Sequence, residues 1–374
     1  MEPGEDVKLK IVYVITKADE IGGAQVHVRD LSVLAQKDNH EVTVIVGEPG
    51  RLVCQLQKEN VSVIIVPELQ RDINIIKDIK CIYKLHRIID RLDPDLITLH
   101  SSKAGVVGRV VAKLLKKKVI FTAHGWAFAD GVNEKRKKLY IKIEKTLTKF
   151  TNKIITVSEQ DKKLALENGV ACGDRQVVIH NGVHNQVSSA IYNRDNNIVR
   201  LVMVARFSEQ KDHETLLQAL AGITHLPWTL DLVGKGPNLD SIAKLANKLN
   251  LGDRVNFLGE RDDVPDILYS SDIFLLISNW EGYPLSILEA MGCGLPIIAS
   301  DVGGVSEAVV NGKNGYLISR KDIKNLESCL SILIEDRDLR RKISTINSEE
   351  FMEKHSVESM YRKTMNVYNE VLSI

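Results

Sequence analysis

At 374 residues, 44% hydrophobic and 26% charged, the chain has ordinary globular composition and is long enough for two domains of about 180 residues each. No stretch approaches the ~18 uninterrupted apolar residues of a membrane span, and the acidic start Met1-Glu-Pro-Gly resembles no signal peptide. Five scattered cysteines (Cys54, Cys81, Cys172, Cys293, Cys329) form no CxxC pair, which argues against a disulfide framework or a zinc site and for a cytoplasmic protein with reduced thiols.

Short apolar runs that read as buried strands lie at 11–16, 42–47, 61–67, 96–100, 119–122 and 154–157. Helical periodicity separates them at 24–36, 75–91, 104–116 and 135–149. Buried strands alternating with helices predict a parallel sheet covered on both faces. The polar segment 185–198, rich in Asn and Ser, reads as a linker. Alternation resumes with strands at 199–205, 229–233, 255–258, 273–277, 296–299 and 316–318, and a last helix over 356–372 is expected to return to the first half. The prediction is an α/β chain of two doubly wound, Rossmann-like domains, 1–184 (with 356–374) and 199–355, facing across a cleft. Ligands bind such sheets at the carboxyl ends of their strands.

Charge divides unevenly. Residues 1–184 carry 30 Lys/Arg against 23 Asp/Glu, and the remainder 20 against 26. Aromatic content of 5% and the lack of a nucleic-acid motif argue against a nucleic-acid partner.

The densest motif is Asn279-Trp-Glu-Gly-Tyr-Pro-Leu-Ser-Ile-Leu-Glu. Glu281 and Glu289 lie a little over two helical turns apart, too far for a carboxyl dyad sharing one proton. Two separate carboxylates suit two hydroxyl-bearing groups along an elongated ligand. Between them, Gly282, Tyr283, Pro284, Leu285 and Ser286 place backbone N–H groups at a helix start, a site for phosphate. A solvated helix end carrying two surface glutamates is the plain alternative.

This segment resembles the E-x7-E signature of family 4 of the retaining GT-B glycosyltransferases, of the type that assembles bacterial surface polysaccharides. The resemblance implies that Glu281 contacts hydroxyls of the donor sugar and that Glu289 binds the nucleotide ribose. It extends over nearly the whole chain. Gly22 and Gly23, after the first strand, resemble the family's glycine loop near donor phosphates or acceptor. Arg206 and Lys211, after the first strand of the second half, resemble its phosphate-binding pair. Gly234 and Arg261 match the walls around the nucleotide base. His124, just past a strand, matches the histidine near the transferred sugar, and His100, Ser102 and Lys103 occupy a strand end on the acceptor side. At Asn181-Gly-Val-His184 the family usually ends in an acid, so His184 departs from the pattern.

The resemblance implies transfer of a hexose or N-acetylhexosamine from a nucleotide diphosphate sugar, most simply a UDP-sugar, to a sugar or undecaprenyl-diphosphate-linked acceptor. No cofactor is expected. Asp93-Pro-Asp95 and Asp336-Arg-Asp338 imitate a D-x-D metal motif but read as a helix-to-strand turn and a solvated helix. Two alternatives stand beside this reading. A nucleotide-sugar 2-epimerase of the same fold would need further acid–base carboxylates, and no convincing set is found. A non-catalytic nucleotide-sugar-binding protein would not need the full set of phosphate and sugar groups.

Residues 134–153 hold eight Lys/Arg, and Lys135, Lys138, Lys142, Lys145 and Lys149 recur on one helical face. Leu139, Ile143, Leu147 and Phe150 form the expected apolar stripe beside it. The bland reading is a docked helix with a solvated face. The sharper one is contact with the cytoplasmic face of an anionic membrane.

Overall fold

Apolar runs become parallel strands here because both faces of each strand meet a layer of helices. The computed structural model describes residues 8–19, 22–72, 74–129, 133–171, 173–184 and 198–373. Backbone contacts divide the chain into two units, 1–180 with 360–374, and 181–359. The linker expected over 185–198 lies outside the described residues except for Ile198.

The first unit runs β1 (Lys10–Ile15), α1 (Gly23–Lys37), β2 (Glu41–Val46), α2 (Arg51–Lys58), β3 (Ser62–Ile65), α3 (Ile75–Leu92), β4 (Leu96–Leu99), α4 (Ser102–Leu115), β5 (Lys118–Ala123), α5 (Glu134–Leu147), β6 (Lys153–Thr156), α6 (Glu159–Glu167) and β7 (Gln176–Val178). Its seven strands pair in the order β3-β2-β1-β4-β5-β6-β7, all parallel. Val12, Val14, Ile97, Leu99 and Val119 pack with Leu85 and Ile89 of α3 and Val107 and Val111 of α4 in one core. The turn between α3 and β4 is built by the Asp93-Pro-Asp95 segment: Asp93 adopts φ 45°, and Asp95 accepts from the Lys10 N–H at 2.8 Å.

The second unit runs β8 (Val199–Val204), α7 (His213–Gly222), β9 (Trp228–Val233), α8 (Leu239–Lys248), β10 (Val255–Gly259), α9 (Val264–Tyr269), β11 (Ile273–Leu276), α10 (Leu285–Gly292), β12 (Ile297–Ser300), α11 (Val305–Ala308), β13 (Gly315–Ile318), α12 (Ile323–Glu335) and α13 (Arg337–Lys354). Its six strands are again parallel, in the order β10-β9-β8-β11-β12-β13. Asp336 caps α13, accepting from the Leu339 N–H at 2.8 Å. The last helix, α14 (Val357–Leu372), is counted with the first unit from Met360 onward. There Tyr368 donates to Thr98 Oγ1 at 3.3 Å, and Lys153 pairs with Glu370 at 2.5 Å.

One expectation is corrected. The inner face of α5 takes only part of the expected stripe: Leu147 is buried and Ile143 half-buried, but Leu139 is turned out. Leu139 is 50% exposed, whereas Glu144, Leu147 and Thr148 are buried. The buried face therefore carries a carboxylate, and Arg109 of α4 compensates it at 2.8 Å.

Candidate active site

Each sheet reverses its strand order once, between β1 and β4 in the first unit and between β8 and β11 in the second. Such reversals part the connecting loops at the carboxyl ends of the strands and leave room for a ligand.

In the second unit the loop after β8 lies along the end of β11. Lys211 bridges Ser278, the Asp212 N–H donates to the Ile277 carbonyl at 2.8 Å, and the Asn279 N–H donates to the Gln210 carbonyl at 2.8 Å. This seam brings Lys211 Nζ onto Glu281 Oε1, with side-chain exposures of only 12% and 5%. Gln210 Nε2 donates to the other carboxylate oxygen at 3.1 Å and to the Trp280 carbonyl at 2.9 Å. Glu281 is thus held from two sides by residues some seventy positions earlier in the chain. Its backbone is pinned as well. Gly303 has φ 60°, and a Cβ there would stand 1.9 Å from the Glu281 carbonyl oxygen, so no other residue fits without moving the loop. The next amide, Gly304, donates to the Gly282 carbonyl at 2.8 Å.

Pro284 is the N-cap of α10 and supplies no side-chain acceptor. The first amides of that helix, at Leu285 and Ser286, therefore remain directed away from intrahelical partners and suit an anion. Tyr283 belongs to this loop through its backbone only. Its ring is buried, its hydroxyl lies 3.4 Å from His355 Nδ1, and its carbonyl accepts from Asn181 Nδ2 at 2.9 Å. Glu289 follows on α10, half-buried, and its charge adds to burial in pushing the Cys293 thiol up to about 12.

Arg206 is exposed just beyond β8, in a segment fixed by the Ala205 amide on the Val233 carbonyl at 2.9 Å and the Phe207 amide on the Lys235 carbonyl at 3.1 Å. Gly234 permits that approach: with φ 141°, a Cβ would lie 2.1 Å from the Ala205 oxygen. Behind it His213 stacks on Phe207 with centroids 4.3 Å apart, and burial lowers its pKa to about 4, so the imidazole is a neutral packing group near neutral pH. Arg261 is paired with Asp263 two residues on, with Nε to Oδ1 at 2.7 Å.

In the first unit Thr16 Oγ1 and Ser101 Oγ lie 2.6 Å apart and tie the ends of β1 and β4 together. Three histidines converge there. His100 Nδ1 is 3.2 Å from His124 Nε2, His100 Nε2 is 2.8 Å from Thr98 Oγ1, and the His27 and His124 rings meet edge-on at 4.7 Å. Burial first, and the neighbouring imidazoles second, hold His100 and His124 well below the ordinary histidine pKa. His124 is half-buried. His100 is fully buried, with both nitrogens engaged, which corrects its placement on the acceptor surface: it supports His124 from behind. Lys103 is likewise turned to Asp78, at 2.7 Å, while Ser102 is exposed in the first turn of α4. Gly22 and Gly23 start α1, and the Gly22 amide donates to Gln25 Oε1 at 3.2 Å.

The sequence reading missed Gln210, Gly303 and His27, and named Asn181 only as part of a motif, without a role. The Gly303-Gly304 pair after a strand was the available signal for one of them, and nothing local distinguishes Gln210.

Residues 21–187 match the family model described as Glycosyltransferase Family 4, and residues 186–349 the one described as Glycosyl transferases group 1. The chain is 30% identical over 348 residues to the Escherichia coli UDP-Gal:alpha-D-GlcNAc-diphosphoundecaprenol alpha-1,3-galactosyltransferase, covering 89% of each protein. The chain belongs to the family 4 glycosyltransferases. A second relative, the Escherichia coli O-antigen biosynthesis glycosyltransferase WbnH, is 28% identical, over 83% of this chain and 86% of its own. Among solved structures, Anabaena HepE in complex with UDP matches this glycosyltransferase with a TM-score of 0.84 at 20% identity, covering 97% of this chain and 100% of that one, which establishes the GT-B type of fold.

Proposed function

We propose that this glycosyltransferase moves a hexose or N-acetylhexosamine from a UDP-sugar to a lipid-linked sugar, with retention of anomeric configuration and without a metal, in bacterial surface polysaccharide synthesis. The observation that carries the reading is the half-buried Lys211–Glu281 pair, seated at the strand-order reversal beside the start of α10. Two adjacent strand-end loops, after β8 and after β11, thereby present a cation for a diphosphate and a carboxylate for sugar hydroxyls. The donor and acceptor classes draw support from the galactosyltransferase relative, whose name gives UDP-Gal and a diphosphoundecaprenol-linked sugar, and from the UDP-bound HepE structure.

In this reading Arg206, Lys211 and the Leu285 and Ser286 amides take the diphosphate and stabilise the charge that develops on it as the sugar leaves, where preorganised donors have most effect. Glu281 and the Gly282–Ser286 backbone orient the sugar, Glu289 accepts from the ribose, and Gly234 and Arg261 flank the base. In the first unit the family resemblance assigns Gly22, Gly23 and His124 to the donor and Ser102 to the acceptor. The basic outer face of α5, from Lys135 to Lys145, with Lys149 just beyond its end, adds electrostatic attraction to the cytoplasmic leaflet. Among the described residues no helix is long and apolar enough to cross a membrane.

The test is transfer from a panel of UDP-sugars to a GlcNAc-diphospholipid in the presence of EDTA. An α-linked product from an α-linked donor is expected. No product from any UDP-sugar would sink the donor class, and activity returning only with Mn²⁺ or Mg²⁺ would sink the metal-free mechanism.

The two glutamates are expected to separate in calorimetry with UDP. Glu289→Gln should weaken UDP binding by about 1.5–3 kcal/mol, the range for a hydrogen bond to a charged group, while Glu281→Gln leaves it nearly unchanged and depresses turnover. The opposite order would reverse the assignment.

A further inference from the structure

Three imidazoles from three different elements meet at the carboxyl end of the first sheet. His27 lies on α1, His100 directly follows β4 and His124 directly follows β5. One ring nitrogen from each lies within 4.8 Å of the other two. A zinc–nitrogen bond of about 2.0–2.1 Å sets two ligand nitrogens of a tetrahedral ion about 3.3 Å apart and their ring centres about 5 Å apart. His100 Nδ1 and His124 Nε2 stand 3.2 Å apart, already at that spacing. The ring centroids agree, at 5.5 Å for His27 and His100, 4.7 Å for His27 and His124, and 5.5 Å for His100 and His124.

The outer contacts fit as well. When His100 Nε2 donates to Thr98 Oγ1, at 2.8 Å, the Nδ1 lone pair is left toward His124 and His27. Such an outer hydrogen bond is what fixes the tautomer and ring orientation of metal-binding histidines. Imidazole nitrogens favour zinc, copper and nickel, whereas magnesium and manganese take oxygen ligands. The cysteine spacing argued only against a thiolate site, and this one is made of nitrogen. His27 and His100 are buried and His124 is half-buried, so a fourth coordination position opens on the side of His124.

We propose that His27, His100 and His124 form a binding site for a zinc-class divalent cation, and that its occupancy inhibits transfer by taking the His124 lone pair. The site stands on the three imidazoles and does not rest on the sugar-transfer reading, whose chemistry uses no metal and runs in EDTA. It adds to that reading a cation that switches the enzyme off.

The test is calorimetric titration of Zn²⁺ into the EDTA-stripped, desalted full chain, as wild type and with Cys54→Ala, which removes an exposed thiol. One zinc per chain is expected in both, and Mg²⁺ should not compete. X-ray absorption of the zinc complex should show nitrogen or oxygen at about 2.0–2.1 Å, no sulfur at about 2.3 Å, and the outer scattering of imidazole rings. Thr98→Val should weaken zinc about 10–100-fold, the usual effect of losing an outer partner, and His27→Gln by more than that. Saturating Zn²⁺ should abolish transfer, and EDTA should restore it. The proposal is overturned by no zinc bound, by sulfur in the first shell, by affinity unchanged in His27→Gln, by displacement with Mg²⁺, or by full transfer with zinc seated. If His27→Gln fails to fold, the wild-type absorption spectrum still decides, because a zinc without imidazole scattering overturns the site. A chain that moves no sugar from any donor but binds zinc as described counts against the function and leaves the site standing.

Discussion

Replacing Lys211 by alanine is expected to lower turnover by about two to three orders of magnitude, the usual consequence of losing one preorganised donor to the charge developing in a transition state. The same variant should be less stable. Glu281 is 5% exposed, and Lys211 Nζ is its cationic partner in the seam. Removing one partner of this half-buried pair strands the other charge and costs stability, though less than the about 3–5 kcal/mol of a fully buried pair. The Gln210 amide, at 3.1 Å, remains and offsets only part of that. The two effects can be separated. Adding Glu281→Gln to Lys211→Ala removes the stranded charge and should recover most of the melting temperature, while turnover stays low because neither the cation nor the sugar-facing carboxylate has returned. Near-normal turnover in Lys211→Ala would take the lysine out of the chemistry and leave the pair as a structural brace. Recovery of turnover in the double variant would mean that the single one had failed only by misfolding.

The fold was legible because strands buried on both faces must be apolar throughout. Runs such as 96–100 and 273–277 admit little else, and they appear as β4 and β11. Shorter or more polar elements carry weaker signals. α2 has eight residues, α6 is mostly charged, and β7 has three residues at the sheet edge, and none was expected. The two glutamates and their spacing are local, so they could be read directly. The contact between Lys211 and Glu281 could not, because it depends on β8 and β11 being neighbours, and strand order is a property of the whole sheet. The same holds for the histidines. His27, His100 and His124 each follow or lie near a different strand, and only the adjacency of β1, β4 and β5 makes them a cluster. Sequence pattern places residues at strand ends; topology decides which ends meet.

The stability of the first unit is expected to depend strongly on a pair that the helical pattern concealed. Glu144 faces inward on α5, and its carboxylate meets the Arg109 guanidinium at 2.8 Å, with side-chain exposures of 6% and 0%. Arg109 is otherwise provided for by the Gly105 carbonyl, 2.7 Å from its Nε, and by the Phe121 ring, 4.4 Å from its central carbon. Gly105 itself leaves room for this, since a Cβ there would stand 2.6 Å from Phe121. Burial lowers the arginine's pKa, with Glu144 opposing that shift, yet a guanidinium stays protonated in proteins. Glu144→Ala therefore leaves a buried cation with no counterion and should cost about 3–5 kcal/mol. For a unit of this size each kcal/mol moves the midpoint by about 2–4 °C, so a fall on the order of 10 °C is expected in the first unit's calorimetric transition. Replacing both partners, Arg109→Met with Glu144→Leu, removes the charges together and should return the midpoint to the wild-type value or above it, as apolar substitutes for buried ion pairs often do. A loss below about 1 kcal/mol in Glu144→Ala would show that water reaches the guanidinium and that the pair behaves as a surface contact. A double variant no better than the single one would place the cost in lost packing around α5 and not in the unpaired charge.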